Sequence, residues 1–325
     1  IALLYARVAQ HLRPDFAYLD VLLGNILVAQ GQPNTALTAF NRVSRQSGLW
    51  WTVQMRTAEV LREQGRHADA ASKLRTMARA RPERADVRET LGDVWRAEEA
   101  WAKAERAYTA AIERVAESKS RHWALFYKRG IARERGGDWA GAQEDLRHAL
   151  KLNPDQPLVL NYLGYSWADR GDNMARAKAM IEQAVDQRPN DGYLMDSLGW
   201  VQYRLGRFDT AVKTLEKAVE MVPNDAEITG HLGDAYWRVG RKREARFRWR
   251  QALEFAESRD KKQELKRRLR QGLGTPVIHE ISKTGDSVRL PGTNRDRNAT
   301  AAPAETSPSS SPDSTNPGPQ GPPRP

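Results

Sequence analysis

Between Pro157 and Arg259 the apolar residues form one phrase stated three times. Leu163-Gly164, Leu198-Gly199 and Leu232-Gly233 are each expected to open a helix. Thirteen or fourteen residues after each leucine stands an alanine, Ala177, Ala211 or Ala245. Four residues on comes a large apolar residue, Ile181, Leu215 or Trp249, and three later another alanine, Ala184, Ala218 or Ala252. Steps of four and three are those of a helix that buries one stripe. The first two copies close on Pro189 and Pro223, 34 residues apart. A fixed internal period decides architecture ahead of any local reading.

Projected backwards, the phrase gives seven copies: 17–50, 51–84, 85–118, 123–156, 157–191, 192–225 and 226–259. Residues 119–122 (Lys-Ser-Arg-His) are an insertion, and the fifth copy has one extra residue near Gly171-Asp172-Asn173. Residues 1–16 match the second half of a truncated repeat through Ala2, Ala6, Ala9 and Pro14. A lone second helix would expose its apolar face. The pattern therefore predicts further residues upstream, where any leader or anchor would lie.

Numbered from the start of each copy, position 8 is small: Gly24, Ala58, Gly92, Gly130, Gly164, Gly199 and Gly233. A small residue lets two helix backbones approach. Position 20 is alanine throughout (Ala36, Ala70, Ala104, Ala142, Ala177, Ala211, Ala245), where the second helix is expected to cross the first. Position 15 is glycine except in copy three, where Glu99 predicts a tighter or less regular turn. Pro82, Pro154, Pro189 and Pro223 stop the second helix, and Asp155, Asp191 and Asp225 are candidate caps for the next one.

Composition narrows the class. Hydrophobic residues make up 40%, enough for helices that bury one stripe each, and β-branched residues are sparse, so the fold class is all-α. No apolar run approaches the length of a membrane span. The chain has no cysteine, which excludes disulfides, thiolate metal ligands and a cysteine nucleophile in these residues. The compartment stays open, because a cysteine-free chain suits cytosol and periplasm alike.

No phosphate-cradling or nucleophile-elbow motif occurs. The six histidines (His11, His67, His122, His148, His231, His279) stand singly, without partners at metal-ligand spacing. No catalytic residue, cofactor or metal is predicted. The net charge of +11 is concentrated between Arg238 and Arg270, with fourteen Lys and Arg against five acids. That stretch reads first as a solvated face with basic helix ends. Its functional alternative is a docking patch for an anionic surface, with nucleic acid the least favoured partner.

Leu232-Gly233-x2-Tyr236…Ala245-x3-Trp249 and Leu91-Gly92-x2-Trp95…Ala104-x3-Tyr108 resemble the signature of the tetratricopeptide repeat family. The resemblance covers residues 1 to 259. It implies an α-solenoid: antiparallel helix pairs stacked into a right-handed superhelix with a concave groove. The wording from Leu160 to Trp249 is similar to bacterial, especially alphaproteobacterial, repeat proteins, some of them envelope lipoprotein adaptors of a periplasmic protease. That likeness implies the periplasm or outer membrane, with the cytoplasm as alternative.

In this family the first helix of each pair lines the groove at positions 2, 5, 9, 12 and 13. The resemblance thus implies a partner-binding set of Asn161, Tyr165, Asp169, Tyr193, Asp196, Trp200, Tyr203, Arg204, Asp234, Trp237 and Arg238. Tyr and Trp give large contact area at small rotamer cost, and Arg adds directional bonds. The structural alternative is that the aromatics pack between adjacent helices. Copies one and two supply a plainer set: Tyr18, Val21, Asn25, Val28, then Thr52, Met55, Glu59, Arg62. The Lys and Asn clamp by which some relatives hold chaperone tails is absent, since position 5 is Val21 in copy one and Asn161 in copy five.

After Arg259, residues 260–274 read as a capping helix with Leu265, Leu269 and Leu273 on one side, sealing the last repeat face. Residues 275–325 are rich in Pro, Ser and Thr and are predicted to be disordered. Asn298-Ala299-Thr300 matches a glycosylation triplet, a pattern common by chance. The expected function is a non-catalytic scaffold holding a partner protein segment in its groove. The first alternative is the recognition arm of a larger enzyme whose catalytic part lies upstream. The second is nucleic-acid or anionic-surface binding through the basic C-terminal repeat. Oligomeric state is not legible.

Overall fold

The computed structural model describes residues 1–13, 15–115 and 118–279. Pro14, the Asn298-Ala299-Thr300 triplet and the rest of residues 280–325 lie outside the described residues. Within them the chain forms sixteen α-helices, one short 3-10 turn and no strand. It divides into two compact units, Ile1–Leu152 and Asn153–Pro325.

The first unit opens with α1 (Ala2–Leu12), whose Leu4, Tyr5, Val8 and Leu12 are exposed. Helix pairs follow: α2 (Ala17–Ala29) with α3 (Pro33–Asn41), and α4 (Trp50–Glu63) with α5 (His67–Ala80). Next come α6 (Ala85–Ala97) with α7 (Trp101–Ile112), and α8 (Trp123–Arg135) with α9 (Trp139–Leu152). The 3-10 turn Ser120–His122 fills the insertion. The second unit pairs α10 (Pro157–Arg170) with α11 (Met174–Gln187), α12 (Gly192–Arg204) with α13 (Phe208–Met221), and α14 (Ala226–Arg238) with α15 (Lys242–Phe255). It ends in α16 (Arg259–Gln271), packed on α15.

The Leu-Gly pairs do not open helices. Leu163-Gly164, Leu198-Gly199 and Leu232-Gly233 sit midway along α10, α12 and α14. Their glycines meet the large residue at position 24 of the facing helix. A Cβ on Gly199 would lie 2.5 Å from Leu215 Cγ, and one on Gly233 would lie 2.5 Å from Trp249 Cδ1. Gly24 faces Phe40 and Gly92 faces Tyr108 in the same way. The seven position-20 alanines are wholly buried beside these contacts. Removing both side chains at the crossing brings the backbones together, and the position-24 residue fills the space left.

Each turn at position 15 is left-handed. Gly31, Gly65, Gly137, Gly171, Gly206 and Gly240 all have φ between 69° and 90°. The glycine N–H bonds the carbonyl three residues back, and the next N–H reaches the carbonyl five back, as in Gly206 to Tyr203 (2.9 Å) and Arg207 to Gln202 (2.9 Å). This pairing closes the helix end. Copy three makes the same turn rather than a tighter one. Glu99 has φ 55°, with Glu99 N–H on Arg96 O (3.1 Å) and Ala100 N–H on Trp95 O (2.8 Å). The hydrogen-bond pattern imposes the conformation, and Glu99 carries the strain.

Asp191 and Asp225 cap α12 and α14 by accepting two first-turn N–H groups each. Asp155 does not cap α10; it accepts from Gln183 Nε2 at 2.9 Å, and Gln156 takes the cap position. On α16, Ser258 caps the start, Leu265 is wholly buried, and Leu269 and Leu273 pack partly against the same core.

Two substitutions test this account. Gly199→Ala gains helix propensity but drives a methyl into Leu215, so it lowers stability by about 1–2 kcal/mol, the cost of overpacking less about 1 for the propensity gain. Glu99→Gly relieves left-handed strain at an exposed turn and raises stability by about 0.5–1 kcal/mol, the strain less the added entropy of a glycine in the unfolded chain. Chemical denaturation of both variants beside the parent chain reads the opposite signs.

Candidate partner-binding face

In the second unit the first helices of successive repeats touch, α10 with α12 and α12 with α14. They form one face, and the residues expected to line a groove lie along it. Asn161, Tyr165, Asp196, Tyr203 and Asp234 are buried in it. Asp169, Tyr193, Trp200, Arg204, Trp237 and Arg238 are half-buried.

These residues are tied together across the repeats. Trp200 stacks on Tyr203 of its own helix (5.0 Å between ring centroids) and on His231 of α14 (4.1 Å). Its indole N–H donates to Asp169 Oδ1 at 3.3 Å, and Arg204 donates to the Asp169 carbonyl at 2.5 Å. His231 Nδ1 pairs with Asp196 Oδ1 at 2.7 Å, and its Nε2 lies 3.5 Å from Glu227. Arg238 Nε donates to the Tyr203 hydroxyl at 2.9 Å. Burial and the nearby Asp234 carboxylate push the Tyr203 phenol above its ordinary value.

Asp234 anchors the end of the face. It accepts from Trp249 Nε1 at 2.8 Å and pairs with Arg268 of α16 at 3.0 Å. Burial pushes its carboxyl up, against the pull of Arg268. Lys261 of α16 bridges Glu227 (2.8 Å) and Glu264 (3.1 Å). Burial would raise Glu264, but Arg268 and Lys261 outweigh it and hold that carboxyl below the usual range. Thus α16 covers the face of α14 with a charged lattice around Leu265.

Beyond α16 the chain turns back. Gly272 packs against the Trp237 ring, and Arg238 donates to the Gly274 carbonyl. Ile278 lies over Gly206, and the His279 N–H donates to the Arg204 carbonyl at 3.0 Å. Arg204 Nη2 sits 2.8 Å from His279 Nε2, and because arginine only donates, that nitrogen accepts. The His279 ring rests on Gly171. A short non-helical strap, Gly272–His279, therefore meets the C-terminal ends of α14, α12 and α10 in turn. Of the segment expected to be disordered from Thr275, residues 275–279 are docked here.

Sequence reasoning treated His231 as solitary and did not see the strap. The His231 signal was present as a cross-repeat offset. Asp196 and His231 are 35 residues apart, as are Tyr203 and Arg238, which places each pair on neighbouring first helices. The strap carries no periodic signal. Among the described residues no group of three His, Asp or Glu could hold a metal ion, and no helix is long and apolar enough to cross a membrane.

Comparison with known proteins agrees with this architecture. A family model described as a tetratricopeptide repeat-like domain matches residues 15–128, and a tetratricopeptide repeat model matches 127–192, 172–226 and 197–260. A TPR repeat-containing protein of Pseudomonas aeruginosa is 30% identical over 201 residues, which is 59% of this chain and 32% of that protein. The cellulose synthase 2 operon protein C of Komagataeibacter xylinus is 30% identical over 198 residues, 59% of this chain and 14% of that protein. The chain thus matches a third or less of the length of these relatives. Among solved structures, a tetratricopeptide repeat protein from Parabacteroides merdae superimposes with a TM-score of 0.62 at 16% identity, covering 78% of this chain and 97% of that one. The APC/C hetero-tetramer Cut9-Hcn1 gives a TM-score of 0.62 at 17% identity, covering 84% and 52%. With its period, its left-handed turns and its small-residue helix crossings, the chain belongs to the tetratricopeptide repeat family.

Proposed function

We propose that this protein is a non-catalytic scaffold whose α10, α12 and α14 face binds an extended segment of a partner protein. The tetratricopeptide repeat is in general a protein-interaction scaffold. The finer reading rests on one observation: the chain's own Gly272–His279 strap crosses the C-terminal rim of this face as a non-helical peptide. Its His279 N–H donates to the Arg204 carbonyl, and it meets an arginine side chain at each of two repeats. A surface that holds one extended segment by backbone bonds and single arginine contacts has the chemistry to hold another.

The half-buried aromatics and arginines at the rim supply the anchors, and the buried members hold them rigid. Trp200 is fixed by His231 and Asp169, and Trp237 by its contact with Trp249 at 5.3 Å. Preorganised aromatic anchors lose little rotamer freedom on binding. In this reading the strap occupies part of the same rim and competes with the client.

A second reading is favoured by the outer surface of α15 and α16. Arg250, Lys262 and Lys266 are exposed and form no ion pair with a carboxylate among the described residues. Phe247 stands exposed among them. Basic residues around an exposed aromatic suit an anionic surface.

Affinity capture from native lysate tests the first reading with three chains of residues 1–325: the parent, Trp200→Ala/Trp237→Ala, and Ile278→Gly/His279→Gly, each verified as helical by circular dichroism. The expected result is a partner held by the parent, with Kd raised about tenfold or more in the aromatic variant. It should be held more tightly when the strap is weakened. Capture of the same proteins by all three chains overturns the reading. For the second, sedimentation with phosphatidylglycerol vesicles should fall steeply with added salt and fall again in Lys262→Glu/Lys266→Glu. Sedimentation no greater than with phosphatidylcholine vesicles removes it.

A further inference from the structure

The first unit contains a cavity unrelated to the face above. It measures about 530 Å³ and opens between the start of α4, the turn before it, and the link from α5 to α6. Its walls bring together Arg45, Arg81 and Arg84 with the indoles of Trp50 and Trp51, and no carboxylate lines it. That volume suits a small molecule rather than a polymer.

Two of the cations flank one ring. Arg81 and Arg84 lie 5.0 Å and 4.9 Å from the Trp51 centroid. Trp50 and Trp51 meet at 5.8 Å between centroids. The ring face attracts each guanidinium while leaving its N–H groups able to donate. Arg84 uses that edge on Asp86, at 2.9 Å and 2.5 Å. Arg45 and Arg81 have no carboxylate partner among the described residues.

One further feature favours negative charge in the same place. The N-terminus of α4 opens here without a side-chain cap, so its positive dipole end faces the cavity mouth. Two guanidinia without a carboxylate partner and a helix start therefore converge on a cavity whose lining holds no acid. An aromatic pair beside them offers a planar apolar wall.

We propose that this cavity is an anion-binding site for the phosphate or carboxylate group of a small organic ligand, with Arg81 and Arg45 as its donors and the Trp50 and Trp51 rings as its wall. The site is separate from the partner-binding face, so its test stands apart from that reading.

The experiment follows indole N–H resonances of the full chain by nuclear magnetic resonance during titration with inorganic phosphate and, separately, with citrate, at constant ionic strength. The Trp51 signal is identified by its loss in Trp51→Phe, which keeps an aromatic ring between the guanidinia. That signal is expected to shift saturably at millimolar anion. Affinity should drop about tenfold in Arg81→Gln, the loss of one charge-assisted hydrogen bond. Saturation by phosphate alone assigns a phosphorylated ligand, and saturation by citrate alone a carboxylate. Arg45→Gln, at an exposed position, provides a second variant should Arg81→Gln lose helicity, and is expected to weaken binding as well. A Trp51 signal that both anions leave unmoved overturns the proposal. So does a shift that neither arginine substitution changes.

Discussion

The structure depends on one steric relation inside each repeat. A small residue at position 8 of the first helix lies under a large residue at position 24 of the second, beside a wholly buried alanine at position 20. Interiors are packed as tightly as organic crystals, so a relation of this kind tolerates little volume change. It fixes how far apart the two helices stand. The left-handed turn at position 15 fixes where the second begins. With both set, successive first helices of the second unit touch, and side chains one period apart become neighbours.

This explains how much of the fold was legible. Packing within a repeat depends on residues about sixteen apart, such as Gly199 and Leu215, and each repetition states the rule again. The turn at Glu99 shows the limit of reading residue type alone. Glycine favours the left-handed conformation, but the hydrogen bonds on either side demand it, and a glutamate complies. Asp155 shows the reverse case: a suitable capping residue whose carboxylate found Gln183 instead.

The candidate face was legible as a set of residues and not as a state of burial. Position in the repeat places Asp196, Tyr203 and Asp234 on the shared face of the first helices. Whether a residue there meets solvent depends on its neighbour one repeat along: His231 beside Asp196, Arg238 beside Tyr203, Arg268 beside Asp234. A single copy does not contain that information. The strap was illegible for a related reason. Its contacts depend on backbone reach and on open glycine surfaces at Gly171 and Gly206, which carry no apolar period.

Stacked helix pairs behave mechanically as a coiled spring, since each interface is small and the next repeat can tilt on it. The strap fastens three successive coils of the second unit at the same ends of their first helices, through Arg238, Arg204 and Gly171. A spring stitched along one side no longer lengthens evenly. Under load it bends, opening on the unstitched side first, so this short segment gives the unit a preferred direction of flexing that the repeats alone would not have.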